Sequence, residues 1–405
     1  MNGPATELPF SLFEGDGLQR VYGKLRLSRF SRFRLLKRCT LMVLLTWVPV
    51  ALLAWLGGHY GGGLVATNFF ADFAAYAQFL IGLPLFMLAE LIIDTSTRGA
   101  AREFVSDGIV RPEDHPRLEL VNERIRRLRT SLWPDAVCIA LALAMSAVIL
   151  VPEFSASPMP TWHVQNWPMG RSLSLPGWWE FVIAIPVMNY IWLRLIWKIF
   201  LWIYYLRRVS RMRLQLHPTH ADLTGGIGFI SGTQAQFATF ILAYGISNVA
   251  ATVGYEIAIL HYDLSKLPVW GPLAAFAVGA PLLFTLPLLM FTRQLYRSKR
   301  RALAIFRRRV TEHSRKIEAR WLPAADNTDS AAEEIRYLTE LTTFGNMFTR
   351  IQSMRVVPFD LRSFMQLGAS SLGSVATILP ILHISGDFPG ILESISKFIG
   401  HLTGN

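Results

Sequence analysis

The sequence has few charged residues and almost no cysteine. Asp, Glu, Lys and Arg make up 17% of the 405 residues, whereas hydrophobic residues make up 52%. A soluble domain usually has about a quarter charged residues, so this composition argues against a soluble protein. The two cysteines, Cys39 and Cys138, both fall within apolar stretches. This excludes a disulfide framework and a Cys-x-x-Cys metal motif.

Motifs for nucleotide, zinc or acyl chemistry are also absent from the sequence. It contains no P-loop, no Rossmann fingerprint, no zinc-protease helix and no nucleophile elbow. An acid, a base and a nucleophile do not converge in any recognisable catalytic pattern. We therefore predict that the protein is not an enzyme and that it uses no cofactor.

Long apolar runs are the dominant feature of the chain. A helix rises about 1.5 Å per residue, so about 20 apolar residues cross the ~30 Å hydrocarbon core of a membrane. The sequence therefore predicts an all-α, polytopic membrane helical bundle of about seven spans. Their predicted ranges are 39–57, 72–93, 135–151, 178–200, 237–260, 269–292 and 364–384. The first run lacks a following small-residue cleavage site, so we interpret it as a retained span.

Lys and Arg are distributed unevenly among the segments outside these spans. Thirty-five of the 40 lie in the N-terminal tail and in segments 95–134, 201–236 and 293–363. Three lie in the alternate segments, and the other two are Arg194 and Lys198. Lys and Arg are retained on the cytoplasmic side of a membrane. We therefore predict a cytoplasmic N-terminus and, if the seventh run spans, an external C-terminal tail.

The net charge of +12 fits a membrane surface better than a nucleic acid, because the basic residues are concentrated beside the spans. Each basic residue close to an anionic bilayer contributes about 1 kcal/mol of binding free energy. We therefore predict that membrane lipids with anionic headgroups at the cytoplasmic face are partners and that nucleic acid is not.

The basic connecting segments contain apolar stripes typical of amphipathic helices. Within 118–132, 303–321 and 335–351, apolar residues recur at steps of three and four. We interpret them as a small cytoplasmic layer of amphipathic helices, and helices lying flat on the inner leaflet are the alternative. The predicted regions are a basic cytoplasmic N-terminal segment (1–38), a six-span bundle (39–292), a cytoplasmic helical region (293–360) and a seventh span with an amphipathic tail (361–405).

Several ionisable residues fall within or beside the spans, where a central charge costs about 2.5 to 3.5 kcal/mol. The seven that we consider as candidates for a functional interior are Asp72, Glu90, Asp94, Glu180, Arg194, Lys198 and Glu256; other ionisable residues, such as Asp135, also lie at span ends. Because Asp72, Asp94 and Glu180 lie near span ends, we expect them to meet hydrated headgroups. We expect Glu256, near the outer end of the fifth span, to meet external water.

Arg194 and Lys198 lie one helical turn apart in the fourth apolar run, and two interpretations stay open. The run is longer than a crossing needs, so both side chains could reach the inner headgroups by snorkelling. Alternatively, both face the bundle interior, on the same helix face as Tyr190. In that case they would meet Glu90 and Asp94 at a similar depth. The hypothesis we carry forward is that these five residues line a polar cavity or permeation path open to the cytoplasm.

The connection between the fourth and fifth spans contains the glycine-rich stretch HPTHADLTGGIGF. Backbone N–H groups of such a loop can face an anion. The candidate anion-binding residues are Gly225, Gly226, Gly228, His217 and His220. The favoured alternative is a tight turn that leads into the fifth span. His217, His220 and Asp222 include competent metal ligands, but no second cluster supports them, and we predict no metal site.

The same stretch, together with the later MRVVPFD and the apolar run ATILPIL, resembles a set of bacterial multi-pass membrane proteins. These share a His-Pro…Gly-Gly-x-Gly-Phe loop and a Met-Arg-x-x-Pro-Phe-Asp segment. The resemblance covers roughly residues 206–384. It implies a membrane fold in a bacterial inner membrane, and it implies no activity or substrate.

Charged residues within spans favour a channel or transporter-like protein for a small ion, with an anion preferred because the interior surplus is basic. The alternative is a non-transporting membrane sensor, assembly factor or lipid-binding scaffold. The small residues of LGASSLGSVAT permit close helix contact. They fit either a homo-oligomer or packing within one chain.

Overall fold

The structure is a computed structural model that describes residues 10–24, 32–59, 68–155, 161–167, 170–253, 270–321 and 331–378. This part of the chain is almost entirely helical. Within it, six helices are long and apolar enough to cross a membrane. These findings confirm the all-α polytopic bundle predicted from the apolar runs.

Eleven helices of the described chain are used below. They are α1 (Gly17–Lys24), α2 (Arg32–Leu56), α3 (Phe73–Ser106), α4 (His115–Thr130), α5 (Trp133–Ser155), α6 (Leu175–Val209), α7 (Phe229–Val253), α8 (Trp270–Thr285), α9 (Thr292–Trp321), α10 (Ala331–Ser353) and α11 (Leu361–Ala376). The six spans are α2, α3, α5, α6, α7 and the pair α8–α9, which a 3-10 segment, Leu286–Phe291, joins without a break. An antiparallel hairpin, β1 (Val164–Trp167) and β2 (Gly170–Leu173), connects α5 to α6.

The two ends of the bundle differ in their connections. At one end, which we call the basic end, lie α4, the glycine-rich loop and the extension of α9 beyond its span. There α4 packs against α6 and buries Leu118, Val121 and Ile125. The extension of α9 packs against α10. The hairpin β1–β2 lies at the opposite end.

Three spans contain π-helical turns. They are Tyr76–Gly82 in α3, Glu180–Ala184 in α6 and Gly245–Ala250 in α7. Pro84 and Pro186 each lie two residues beyond one of these turns, and a proline ring displaces the carbonyl four residues earlier. Those carbonyls belong to residues 80 and 182, inside the first two turns, which accounts for the irregular backbone there.

Helix α11 packs against α7 and α8 through the small residues of LGASSLGSVAT. Its Ser371 hydroxyl donates to the Ala277 carbonyl at 2.9 Å. At Gly245 of α7, a Cβ would lie 2.0 Å from the Ser374 hydroxyl oxygen, so only glycine permits this approach. The stripe is thus used within the chain. The described helix has 16 residues, and positions 379–384 of the predicted seventh span and the C-terminal tail lie outside the described residues.

The expectation that Asp72 and Glu180 meet hydrated headgroups is wrong. They are only 4% and 5% exposed, because the chain leading into the hairpin folds over them. The Trp162 indole donates to Asp72 at 3.0 Å, and His163 Nε2 lies 2.8 Å from a Glu180 carboxylate oxygen. The expectation for Glu256 concerns a position outside the described residues.

Candidate functional site

Residues Phe10–Lys24, which we call the N-terminal insert, lie between the spans at the basic end. The sequence predicts only a basic tail here, but the insert buries Phe10, Leu12 and Phe13. The Phe10 ring centre lies 4.6 Å from that of Tyr205 and 6.1 Å from that of Trp202, both on α6. Burial of these aromatic and aliphatic side chains stabilises the insert in its site.

Hydrogen bonds from the backbone of the insert fix its position further. The Leu12 N–H and the Ser11 hydroxyl both donate to the carboxylate of Asp94 on α3, at 3.3 and 3.1 Å. The Gly17 N–H donates to the carboxylate of Asp135 on α5 at 3.2 Å. Two carboxylates from two different spans therefore hold the insert by its main chain, and such charge-assisted bonds are the strong ones.

Arg194 of α6 lies between a carboxylate of the insert and a carboxylate of α3. Its Nη1 and Nη2 donate to the two carboxylate oxygens of Glu90 at 2.9 and 3.2 Å, which is a bidentate fork. Its Nε and Nη2 also donate to Asp16 Oδ2, at 3.0 and 2.8 Å. One guanidinium thereby joins α6, α3 and the insert.

Asp16 has two functions in this arrangement. Its Oδ1 accepts the Gln19 N–H at 3.0 Å and so caps the start of α1. Its Oδ2 lies 3.0 Å from Lys198 Nζ in addition to the contacts with Arg194. Burial by itself raises the pKa of Asp16, but the positive charges of Arg194 and Lys198 outweigh it and hold the pKa below its ordinary value. Asp16 is therefore ionised at neutral pH.

We call Asp16, Glu90, Arg194 and Lys198 the charge cluster. Their side chains are 0%, 3%, 1% and 2% exposed. The Phe13 ring centre lies 5.6 Å from the Arg194 guanidinium carbon and 5.9 Å from Lys198 Nζ, so an aromatic face closes the cluster on one side. Two cations and two carboxylates balance each other, as buried charges require.

The structure brings three of the five predicted site residues together: Arg194, Lys198 and Glu90. They form a closed cluster rather than the wall of an open cavity, and Arg194, at 1% exposure, does not snorkel. Asp94, expected from the sequence to meet hydrated headgroups, is instead 3% exposed beside the cluster and pairs with Arg98 at 2.7 Å. Tyr190 lies next to the cluster without bonding to it, and its hydroxyl donates to Asp135 at 3.2 Å.

The sequence prediction missed Asp16. The segment 1–38 was assigned by its basic charge, and its acidic residues were given no role. A signal is present, because Phe10, Leu12 and Phe13 are apolar and precede an aspartate at a helix N-cap position. Such a pattern is typical of a segment that packs rather than one that stays in solvent.

In the glycine-rich loop, a carboxylate of the loop itself occupies the predicted anion position. Asp222 accepts the N–H groups of Gly226 and Gly228 at 3.0 and 2.8 Å and that of Thr224 at 2.9 Å. The backbone permits this because Gly225 and Gly226 adopt φ values of 71° and 93°. The N–H groups of Gly226 and Gly228, the candidate donors to an external anion, are thus already bonded, as the favoured tight-turn alternative implies.

Neither predicted histidine completes a ligand site in this loop. The His220 ring nitrogen lies 2.9 Å from Asp222, but His220 is 51% exposed, and the His217 N–H donates to the Gly225 carbonyl at 3.0 Å. In the described part of the chain, no three His, Cys, Asp or Glu side chains come together as metal ligands.

Replacing Asp222 with alanine is expected to speed hydrogen exchange of the Thr224, Gly226 and Gly228 amides by about 10–100-fold. Each amide loses a charged acceptor, and such a bond contributes about 1.5–3 kcal/mol. Exchange measured by mass spectrometry on this loop tests the expectation. His217→Ala is the control, because its side chain has no bond to Asp222, and equal exchange in the two variants would contradict the role of the carboxylate.

The same amides should respond to acid. Burial by itself raises the pKa of Asp222. Hydrogen bonds from Thr224, Gly228 and His220 lower the pKa by more than burial raises it, so its value falls from an ordinary 3.8 to about 2. A lowered pKa stabilises the folded loop above the ordinary value. Protection is therefore expected to be complete above pH 3.8 and to be lost as the pH falls through about 2.

An apolar crevice of about 430 Å³ opens between α6, α7 and α8. Trp202, Tyr244 and Phe276 are among the residues that line it, and Gln234 is the one lining residue with an amide or charged side chain. Phe200 and Leu283 at its rim are 58% and 62% exposed on span surfaces. The crevice therefore faces the lipid side of the bundle.

These features define a multi-pass integral membrane protein with a buried network of charges at one end of its bundle. No family model, curated protein or solved structure matches the chain.

Proposed function

We propose that the protein is a non-enzymatic channel or transporter-like protein for a small anion and that the N-terminal insert closes its path at the basic end. The observation that supports this most directly is the pairing of Asp16 with Arg194 and Lys198. Asp16 is the one member of the charge cluster that does not belong to a span. It is therefore the member that can leave while the helices stay in place.

The charge balance of the cluster supports the preference for an anion. With Asp16 in place, two cations face two carboxylates. If the insert withdraws, Glu90 is the one carboxylate left in the charge cluster, and the cluster then carries one uncompensated positive charge. A buried charge without a partner is costly, so the withdrawn state would take up an anion from solution. In this proposal Asp16 occupies the place of the transported ion.

The helices that hold the cluster have the irregular backbone expected around a moving path. Arg194 and Lys198 lie on α6, and Glu90 lies on α3. Both helices contain a π-helical turn, and such turns occur frequently at functional sites. The cluster lies closer to the basic end than these turns do, so the turns would adjust the helices beyond the charged position.

We also propose a setting for this function. The segments with 35 of the 40 Lys and Arg residues support a cytoplasmic basic end and therefore a cytoplasmic N-terminus. The resemblance to bacterial multi-pass proteins supports a bacterial inner membrane. Anionic headgroups at the cytoplasmic face are the proposed lipid partners and nucleic acid is not a partner. A homo-oligomer remains part of the proposal, although the small-residue stripe of α11 packs within the chain.

A second candidate function is a non-transporting, lipid-binding scaffold. The apolar crevice favours it, because a cavity of about 430 Å³ lined almost entirely by apolar side chains fits an acyl chain. In that case the charge cluster would serve to hold the insert in place.

Anion efflux from reconstituted vesicles separates the two candidates. We expect slow chloride, nitrate or thiocyanate efflux with the wild type. We expect efflux at least about tenfold faster with Asp16→Asn, because breaking a buried ion pair weakens the closed state. Glu14→Gln is the matched control: it removes the same charge from the insert, but Glu14 is 68% exposed in its ion pair with Arg98.

Efflux at the rate of protein-free vesicles for the wild type and for Asp16→Asn, across several membrane voltages, would overturn the transport proposal. The lipid-binding scaffold would then be favoured. Equal acceleration by Asp16→Asn and Glu14→Gln would show that total charge, rather than the buried pairing, controls the path.

A further inference from the structure

A polar cavity of about 920 Å³ lies at the basic end, between residues 211–219, α9 and α10. Five arginines line it: Arg111, Arg211, Arg213, Arg297 and Arg301. An adjoining cavity of about 560 Å³ shares Arg211 and Arg297 and adds Arg207 and Arg293. We call the two together the arginine pocket. It is separate from the charge cluster and from the glycine-rich loop's Asp222.

The arginines of this pocket have no internal counter-ions. No Asp or Glu is among the residues that line either cavity. Within the described part of the chain, none of these seven arginines takes part in an ion pair. Asp114, near Arg213 in space, is already engaged by the Arg213 N–H and the Arg117 guanidinium, both at 3.1 Å. The charge cluster balances its cations internally, whereas the arginine pocket does not.

Hydrogen bonds to the main chain fix the positions of the segments that carry these arginines. The Gln294 amide on α9 donates to the carbonyls of Ser210 and Met212, on either side of Arg211. An isolated antiparallel bridge joins Val110 to Leu214. This bridge holds Arg111 beside Arg213. Like charges repel, so a fold that fixes several arginines in one place leaves a site that favours an anion.

We propose that the arginine pocket binds the phosphate groups of a ligand. The planar fork of arginine matches the geometry of phosphate oxygens and binds them bidentately. The volume of about 920 Å³ is at the upper end of the range for small-molecule sites, roughly 300–1,000 Å³. Phe306, Met347 and Ile351 also line the cavity, so its ligand would have an apolar portion beside the phosphates.

Two sources can supply this chemistry. One is a soluble phosphorylated molecule that enters from the aqueous side of the basic end. The other is the headgroup of an anionic phospholipid, because Arg207 and Arg293 lie at the ends of two spans, close to the level of the headgroups. The phosphate group is common to both, and the arginines would contact it in either case.

The test uses the full chain and two double variants with the same change in charge. Arg211→Gln/Arg297→Gln alters residues shared by both cavities. Arg308→Gln/Arg309→Gln alters two exposed arginines further along α9 that do not line the pocket. Melting temperature and elution volume check that both variants fold like the wild type.

In the first arm, calorimetry measures tripolyphosphate binding to protein in phosphatidylcholine nanodiscs. If the ligand is soluble, Arg211→Gln/Arg297→Gln weakens binding at least about tenfold and Arg308→Gln/Arg309→Gln less than about twofold. In the second arm, native mass spectrometry counts phosphatidic acid retained after extraction from phosphatidylcholine vesicles that contain it. If the ligand is a lipid, only Arg211→Gln/Arg297→Gln loses retained phosphatidic acid.

A difference between the double variants in either arm supports the pocket and identifies the source of the phosphate. If both arms show the same behaviour for the two double variants, binding depends on total basic charge and the proposal is overturned. Absence of saturable tripolyphosphate binding together with absence of retained phosphatidic acid in the wild type overturns it as well.

Discussion

Replacing Arg194 with leucine is expected to lower the free energy of unfolding by about 3–5 kcal/mol, the effect of removing one partner from a buried ion pair. The guanidinium is 1% exposed and donates four hydrogen bonds, two to Asp16 and two to Glu90. Leucine fills part of the volume but leaves both carboxylates short of positive charge. Lys198 still pairs with Asp16, whereas Glu90 loses its bidentate partner and retains a hydrogen bond from the Gln19 amide at 3.5 Å. Unfolding of the purified protein in mixed micelles by added SDS measures the loss.

Arg208→Leu is the matched control for this measurement. It lies on the same helix and loses the same charge, but Arg208 is exposed. Its Nε donates to the Tyr204 hydroxyl at 3.0 Å, at the surface of the helix. A surface contact of this kind contributes about 0–1 kcal/mol. Equal, small effects of the two substitutions would contradict the buried network, since they would mean that water reaches Arg194.

The spans were predictable because their signal is local. Each span is defined by about 20 consecutive apolar residues, and α2, α5 and α8 follow the predicted runs closely. The apolar stripe predicted over 118–132 is equally local: Leu118, Val121 and Ile125 are buried, whereas Leu132 lies beyond the end of α4 and is 64% exposed. The π-helical turns were not predicted; two of them depend on how Pro84 and Pro186 are accommodated inside the bundle, and the third, in α7, has no proline near it in the sequence.

The candidate site was only partly predictable, because its key contacts join distant parts of the chain. The cost of burying Arg194 and Lys198 calls for partners, and Glu90 was a reasonable choice on depth alone. Asp16 lies 178 residues from Arg194 in sequence. No periodicity or spacing connects two such positions. The position of a residue along a span does not fix the direction of its side chain. The sequence therefore could not show that Tyr190 and Asp94 have partners outside the cluster.

The contacts of the glycine-rich loop were also only partly predictable. The backbone N–H groups of Gly226 and Gly228 were recognisable as anion donors from the sequence. That their anion is Asp222, four and six residues earlier, follows from the loop conformation. An aspartate two residues before a threonine and close to glycines is a pattern for a local side-chain-to-backbone turn, so that signal was available.

Asp16→Asn is expected to release the N-terminal insert, and tryptic cleavage measures this release. Arg20 and Lys24 lie in the insert, and in the docked state the Arg20 guanidinium donates to the Thr130 carbonyl at 2.8 Å. Both residues are exposed and lie in helix α1, so cleavage requires this helix to unfold locally, which undocking of the insert favours. Asparagine keeps the shape of Asp16 but removes the charge that faces Arg194 and Lys198. Cleavage at these sites is expected to be at least about tenfold faster than in the wild type, in proportion to the population of the open form.

Glu14→Gln is again the control, because it removes a negative charge from the insert without breaking a buried ion pair. It removes a carboxylate two residues away, whose 3.4 Å contact with Arg98 is exposed, and it should change the cleavage rate less than about fivefold. The cleavage rate and the efflux rate together distinguish three cases. Faster cleavage with faster efflux supports an insert that closes an anion path. Faster cleavage without efflux supports docking of the insert but removes the path. Unchanged cleavage means that the insert does not depend on the Asp16 charge, and neither docking through the cluster nor gating by it would stand.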